Sequence, residues 1–290
     1  MSAASHRFMV GNIECTAVAD GTLDYAADAL FANAPKESVE QVVHEHELQP
    51  EEIPLSFTGL VINTGRQRVL VDTGLGAGVV PSAGGLLENL RAEGIGPEDI
   101  DTVILTHGHP DHIGGNADAE GNVAFPKARY VMWKDDWDFW TSESILGKLD
   151  AGQVCGVPEL DQMMGACARQ YLPLIQGQLD VIERDETEIA AGVHAIPAPG
   201  HTPGHMALLI SSGDEHALHL ADTVLHPIHL AWPEWFPLYD LQQDQAASTR
   251  RQLLDRAAAE DALVLSYHFP FPSLGYISQK DKGWQWEPIE

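Results

Sequence analysis

Thr106-His107-Gly108-His109-Pro110-Asp111-His112 places four candidate metal ligands within six residues, directly after the buried-looking strand Asp101–Leu105. Alternate residues leaving a strand end can point two imidazoles at one place, and the following turn swings a carboxylate and a third imidazole beside them. That mixture of nitrogen and oxygen donors suits zinc and its neighbours. Three later segments repeat the arrangement. His201 lies in Pro199-Gly200-His201-Thr202-Pro203-Gly204-His205, Asp222 ends Leu218-His219-Leu220-Ala221-Asp222, and His268 stands between Leu263–Tyr267 and Phe269-Pro270-Phe271-Pro272. Each is weak alone; together they predict one metal centre built from strand-end loops.

The surrounding elements support an α/β reading. Phe8–Val18 reads as a strand and Lys36–Glu47 as an amphipathic helix. Leu60–Asn63 and Val69–Val71 form a hairpin around Thr64-Gly65-Arg66, leading into Asp72-Thr73-Gly74-Leu75-Gly76. Gly85–Glu93 is expected to be a helix closed by Gly94. Arg129–Trp133 is a strand and Asp135–Trp140 begins a helix. Glu159–Gln176 is helical in period, with Pro173 limiting its length. Strands follow at Asp180–Glu183, Val193–Ile196, Met206–Ser211 and Ala217–Leu220. Asp244–Glu260, rich in Ala, Leu and Arg, is the clearest helix, and Ala262–Tyr267 is the last strong strand. Strands alternating with helices favour sheets covered by helices, and without a linker the chain is expected to be one domain, 1–290, with 1–50 as an N-terminal extension.

Composition narrows the function. Sixteen Lys+Arg against 43 Asp+Glu leave a formal charge of −27 over 290 residues. Such a surface repels phosphate backbones and anionic lipid, so neither nucleic acid nor membrane is an expected partner. Cys15, Cys155 and Cys167 show no CxxC spacing, hence neither a disulfide framework nor a thiolate zinc site. With no apolar run of 18 residues and no signal-peptide pattern at the start, a cytoplasmic location is the expectation.

On the order HxHxDH, His, Asp, His the sequence resembles the metallo-β-lactamase superfamily, from about Ile53 to the C-terminus. The resemblance implies an α/β, four-layer αβ/βα sandwich, two facing mixed sheets with helices outside and metals at one edge. It also implies that His107, His109 and His201 hold one metal, that Asp111, His112 and His268 hold the other, and that Asp222 bridges them. Asp72 matches a supporting carboxylate that orients a ligand. Two divalent ions are implied, zinc first, with Mn, Co or Fe also accepted by this ligand mixture.

Within the superfamily, His109 stands where flavodiiron oxidoreductases have Glu, and Asp222 where many true β-lactamases have Cys. The text Leu55–Gly65, Val71-Asp72-Thr73-Gly74-Leu75-Gly76 and His268–Gly275 looks like the branch of methyl parathion hydrolase, near the N-acyl homoserine lactonases. That branch implies hydrolysis of neutral esters, lactones or phosphotriesters by a metal-bridging hydroxide whose water has a pKa lowered toward about 7. Asp111 is the candidate proton handler, with a pure ligand role the alternative. The branch also implies a homodimer packed through the N-terminal extension.

The small-molecule pocket is read from softer signals. Trp232, Trp235 and Phe236 are the candidate substrate wall, with packing in the core the bland alternative. His205 is expected behind the ligands, His219 on another layer, and His226 and His229 as candidate pocket residues. Two rival activities remain: a mononuclear iron, oxygen-using enzyme akin to persulfide dioxygenases, and β-lactamase or thioesterase activity on the same fold.

Overall fold

Alternating apolar residues in the first half of the chain build a seven-stranded sheet in the computed structural model, which describes residues 4–183 and 187–289. Its strands lie in chain order: β1 Ser5–Val10, β2 Ile13–Tyr25, β3 Ile53–Asn63, β4 Arg68–Val71, β5 Thr102–Ile104, β6 Arg129–Trp133 and β7 Leu179–Ile182. β1 to β4 are antiparallel, and β4 to β7 are parallel. The second half forms a seven-stranded sheet from β8 Glu188–Ala190, β9 Val193–Pro197, β10 Met206–Ser212, β11 Glu215–His219, β12 Leu263–Leu265, β13 Leu274–Lys280 and β14 Gly283–Pro288. Only β11 and β12 pair in parallel there.

Side-chain alternation sorts the core into layers. Leu60, Ile62, Val69 and Val71 of the first sheet meet Ala195, Leu208, Ile210 and Leu265 of the second in one buried cluster. Val61 and Leu70 point the other way, under helices α3 Leu86–Ala92, α5 Lys134–Thr141, α6 Glu143–Asp150 and α7 Pro158–Ile175. Ala207, Leu218 and Val264 face outward on the second sheet, covered by Leu253, Leu254 and Ala257 of α9 Gln243–Glu260. The expected four-layer αβ/βα sandwich is therefore the fold. Three short or peripheral helices complete it: α1 Ala27–Leu30, α2 Lys36–Glu45 and α8 Ile228–Ala231; a fourth, α4 Pro110–Ile113, carries part of the histidine motif.

Some boundaries differ from the sequence reading. Phe8–Val18 is two strands, because Gly11 takes φ +55° and makes a two-residue turn with Asn12, with Val10 opposite Ile13. Gly-Asn between alternating apolar runs is a hairpin signal. The N-terminal 50 residues are woven into the molecule: β2 lies inside the first sheet and pairs with β3 from Glu14↔Asn63 to Tyr25↔Ile53. The helix over 159–176 begins at Pro158 and runs to Ile175 through Pro173, which gives up one backbone donor in the last turn without ending the helix there. β8, β13, β14 and α6 have no counterpart in the sequence reading.

Candidate metal centre

The seven candidate ligands come from four separate stretches of chain at one edge of the sandwich. His107 follows β5, His109 caps α4, Asp111 and His112 lie on α4, His201 follows β9, Asp222 sits in the turn after β11, and His268 follows β12. The structure brings them together. His107, His109, His201 and Asp222 present ligand atoms within 4.8 Å of one another, and so do Asp111, His112 and His268. Asp222 stands between the groups, with Oδ2 3.3 Å from His201 Nε2 and 3.1 Å from His268 Nε2. Its Oδ1 is 3.3 Å from His112 Nε2.

The hydrogen bonds behind the ligands decide which ring nitrogens face the centre. Asp240 Oδ1 accepts from His201 Nδ1 at 2.7 Å, and Asp72 Oδ2 from His112 Nδ1 at 2.8 Å. The Ser56 carbonyl accepts from His268 Nδ1 at 3.1 Å. Thr106 Oγ1 donates to Asp72 Oδ2 at 2.8 Å, so its lone pair takes the His107 Nδ1 proton at 3.1 Å. Each of these acceptors places the imidazole proton on Nδ1 and leaves an Nε2 lone pair aimed inward.

His109 enters by Nδ1 instead, 3.0 Å from His107 Nε2 and 2.9 Å from His201 Nε2. Three ring nitrogens this close hold more lone pairs than protons, and His112 Nε2 and Asp222 Oδ1 are buried without a hydrogen-bond partner. Ligands around a tetrahedral ion at about 2.0–2.1 Å stand roughly 3.3 Å apart. The donor set therefore fits divalent metal.

Electrostatics agree. Burial, joined by His112, holds His107 well below its ordinary value, and burial with His201 does the same to His109. Burial also works against charge on His112, but Asp222, Asp111 and Asp72 outweigh it and hold that imidazole well up. His201 likewise is pushed up to about 9, burial being overcome by Asp222 and Asp240. Asp222 lies well below the usual carboxylate range: burial opposes this, and His268 and His112 overcome it. Asp111 is lowered in the same way by His112 and His268. The carboxylates are ionised and favour positive charge on His112 and His201, so the cluster is a site for a cation.

Backbone geometry locks the loops in place. Asp72 takes φ +59° at the end of β4, a strained conformation for a residue with a side chain. It is held there by its own N–H to the Ile104 carbonyl and by Thr106 N–H at 2.8 Å on its carboxylate. Asp136 on α5, missed in the sequence, ties the two glycine-bearing loops together. Its carboxylate accepts from Gly108 N at 2.8 Å, Gly204 N at 3.0 Å and the Thr202 hydroxyl. A Cβ at Gly108 would meet Trp140 Cδ1 at 2.3 Å, and one at Gly204 would meet Asp136 N at 2.2 Å. Burial pushes the Asp136 carboxyl up to about 6 against those donors.

Asp240 is the second missed residue, spanning His201 and Arg250 Nη2 at 3.0 Å. His205 is where it is expected, behind the ligands: Nδ1 donates to the Ala198 carbonyl and Nε2 accepts from Asp222 N–H, both at 3.0 Å. His219 is buried, and its Nδ1 accepts from Ala221 N–H at 3.2 Å.

A cavity of about 170 Å³ opens onto the cluster. Leu23, Leu55, Leu75, Val80, Leu160, Met164 and Leu225 line it beside His109, Asp111, His201, Asp222 and His268. The expected wall of Trp232, Trp235 and Phe236 is not part of this lining. Trp235 is buried against Phe31, ring centroids 5.7 Å apart, and Trp232 stacks on Trp235 at 4.8 Å. Phe236 is tied by its backbone to Asn33 and Ala32. The Pro233 and Pro237 turns fold this aromatic run back onto the Phe31 region, away from the cluster. His226 and His229 also pack on Phe31 rather than in the cavity.

Comparison with known proteins adds the family. A model described as the metallo-beta-lactamase superfamily matches residues 56–268. The dizinc quorum-quenching lactonase AidC, solved with its product N-hexanoyl-L-homoserine, superposes with a TM-score of 0.90 at 27% identity, covering 100% of this chain and 99% of that one. The hydrolase AbOPH, of the beta lactamase superfamily, gives 0.90 at 26% identity with the same coverage. The atrochrysone carboxyl ACP thioesterase of Passalora fulva is 28% identical over 167 residues, 57% of this chain and 37% of its own length. The chain thus spans well under half of that relative.

Proposed function

The chain belongs to the metallo-beta-lactamase superfamily, and from that premise we propose that it is a dinuclear, zinc-type hydrolase of neutral lactones and esters carrying a short apolar tail. One observation carries the reading: both ligand groups meet at the floor of a small apolar cavity. AidC, alike over the whole chain, is a dizinc lactonase. The cavity's volume is close to the ~150 Å³ that admits a benzene ring, which suits a short acyl or aryl group.

His107, His109 and His201 would hold one ion, Asp111, His112 and His268 the other, and Asp222 both. When bound, the ions supply an acidified water and polarise the oxygen that gains charge during attack. The chain does the rest. Leu55, Leu75 and Leu225 exclude solvent around the tail. Asp111, the ligand with the largest exposure at 16% of its side chain, faces the cavity and is ionised. Its carboxylate can take the proton of the attacking water and return it to the leaving oxygen. The Tyr267 hydroxyl donates to the Asp111 carbonyl at 2.7 Å and fixes the backbone that carries it. A mononuclear oxygen-using reading has less support, because Asp111, His112 and His268 assemble as a second complete group.

The test is metal content of zinc-loaded, dialysed protein, paired with hydrolysis of N-hexanoyl-homoserine lactone, p-nitrophenyl acetate and paraoxon. About two ions per chain, with chelator-sensitive turnover of the lactone and the ester, is expected. One ion per chain with no turnover of any of the three overturns the proposal.

A further inference from the structure

The cavity wall contains one feature that the hydrolytic chemistry does not use. Apart from the cluster's own residues, its lining side chains are apolar except for Tyr25 and Tyr239. The two phenols meet edge to face, ring centroids 5.9 Å apart at 88°. Among the described residues neither hydroxyl has a hydrogen-bond partner. Both residues are half-buried and neither hydroxyl is among the buried atoms left without a partner, so both phenols keep accessible surface and are free to bond to a ligand in the otherwise apolar cavity.

Position strengthens the point. Tyr239 directly precedes Asp240, whose carboxylate holds His201. Tyr25 ends β2, outside the 56–268 segment shared with the family, and is fixed opposite Ile53 in the sheet. Burial and then the charge of Asp111 hold both phenols above their ordinary values, and Asp222 adds to this for Tyr25. Both therefore remain protonated donors at neutral pH, and both line the cavity together with His109, Asp111, His201, Asp222 and His268.

We propose that Tyr25 and Tyr239 are positioning residues that bind a second acceptor oxygen of the substrate, beyond the scissile carbonyl, and so select lactones and esters bearing an amide or ketone carbonyl close to the scissile group. This rests on the hydrolase reading, and it assigns a specificity element to the N-terminal part of the chain. The phenols take no part in bond making; they fix where the acyl group lies, and the apolar wall holds the hydrocarbon tail beyond it.

The experiment compares Tyr25→Phe and Tyr239→Phe with the parent on two matched lactones, one with an N-acyl amino group on the ring and one with a plain alkyl chain of equal length. Each variant should lose about tenfold in kcat/KM on the amide-bearing lactone. The plain lactone and p-nitrophenyl acetate should stay within about twofold, and metal content should be unchanged. Equal losses on both lactones would show a structural role and overturn the assignment, as would no loss on either.

A second measurement separates this proposal from hydrolysis itself. Zinc-loaded protein is titrated calorimetrically with an N-acyl amino-lactam, which keeps the amide and resists ring opening, and with the corresponding alkyl lactam. Tighter binding of the amide form by the parent, lost in Y25F or Y239F, supports the tyrosine pair even if no lactone is turned over. Equal binding of the two lactams by the parent overturns it even if lactones are hydrolysed.

Discussion

The floor and the wall of the cavity are built on opposite terms. On the floor, His107, His112 and His201 are 0–2% exposed, and each has a named acceptor behind it: Thr106, Asp72 and Asp240. On the wall, Val79 is 54% and Met163 48% exposed, contributed by a loop and the face of α7 with no polar tether of their side chains among the described residues. The floor is over-determined, as a site must be if its geometry is to precede its ligand. The wall is set by volume and polarity alone, so it can change without disturbing the chemistry beneath.

The largest expected difference lies within the floor. Asp222 reaches both ligand groups, whereas His268 belongs to one. Asp222→Ala should leave less than about one metal per chain and lower kcat/KM at least ~10³-fold. His268→Ala should keep roughly one ion, held by His107, His109 and His201. Metal analysis after dialysis checks both. Equal loss from the two variants would show that the groups form only as a unit, and the floor would then have to be treated as a single cage rather than two neighbouring sites.

Support behind the floor should matter next. Asp240→Asn exchanges an acceptor-only group for an amide able to present N–H to His201 Nδ1, and leaves Arg250 with a neutral partner. Zinc affinity should fall about 10–100-fold, in the range seen for such outer partners. Competition with a chromogenic chelator measures it. An unchanged affinity would mean that His201 is held by the Gly200–Leu241 backbone alone, through bonds such as Leu241 N–H to the His201 carbonyl.

These two layers are not equally legible in the sequence. The ligands stand out because four of them fall in one hexapeptide and the other three sit where strands stop. Asp136 and Asp240 do not: the amides and imidazole they satisfy lie 28 to 68 residues away along the chain, and only the folded sandwich closes that distance. The wall reads wrongly for a related reason. Trp232, Trp235 and Phe236 follow Asp222 closely, and proximity in sequence suggests proximity in space. Packing partners decide otherwise, since Phe31 from the N-terminal helix region takes the Trp235 ring, Trp232 stacks on Trp235, and Phe236 is tied to Asn33 and Ala32 through its backbone. The fold itself is readable because period-2 alternation marks most of the strands; the reading misses β8, only three residues long, and the C-terminal hairpin β13–β14, and it runs straight through the Gly11-Asn12 turn, where alternation continues across the hairpin.

Asp136 offers a pH test of that hidden layer. Its folded carboxyl keeps its proton up to about pH 6, against an ordinary value of 3.8. Between those values the native state binds more proton than the unfolded chain, so this group's contribution is complete below about pH 4 and is lost as pH rises through about 6. The displacement is worth ~3 kcal/mol. Urea melts of metal-free parent and Asp136→Asn, taken from pH 4 to 7, isolate it by difference. The parent's stability should fall relative to the variant over that interval; a difference that is flat, or that rises with pH, would show that the Gly108, Gly204 and Thr202 donors dominate burial.

The smallest effect is expected at the residue that the sequence places in the wall. Trp232 is 43% exposed and stacks on Trp235, and neither residue lines the cavity. Trp232→Ala should therefore shift kcat/KM for p-nitrophenyl acetate and for an acyl lactone by no more than about twofold, and stability by about 1 kcal/mol for the lost half-exposed stacking. Leu225→Ala, which enlarges the cavity beside Asp222, supplies the contrast: KM should rise for short-tailed substrates, while metal content holds. If Trp232→Ala instead depressed turnover of aryl substrates more than Leu225→Ala did, the aromatic run would have to fold over the cavity when substrate binds. The wall would then be a moving part rather than a fixed apolar surface. The comparison with the floor would change accordingly, from tethered against untethered to rigid against closing.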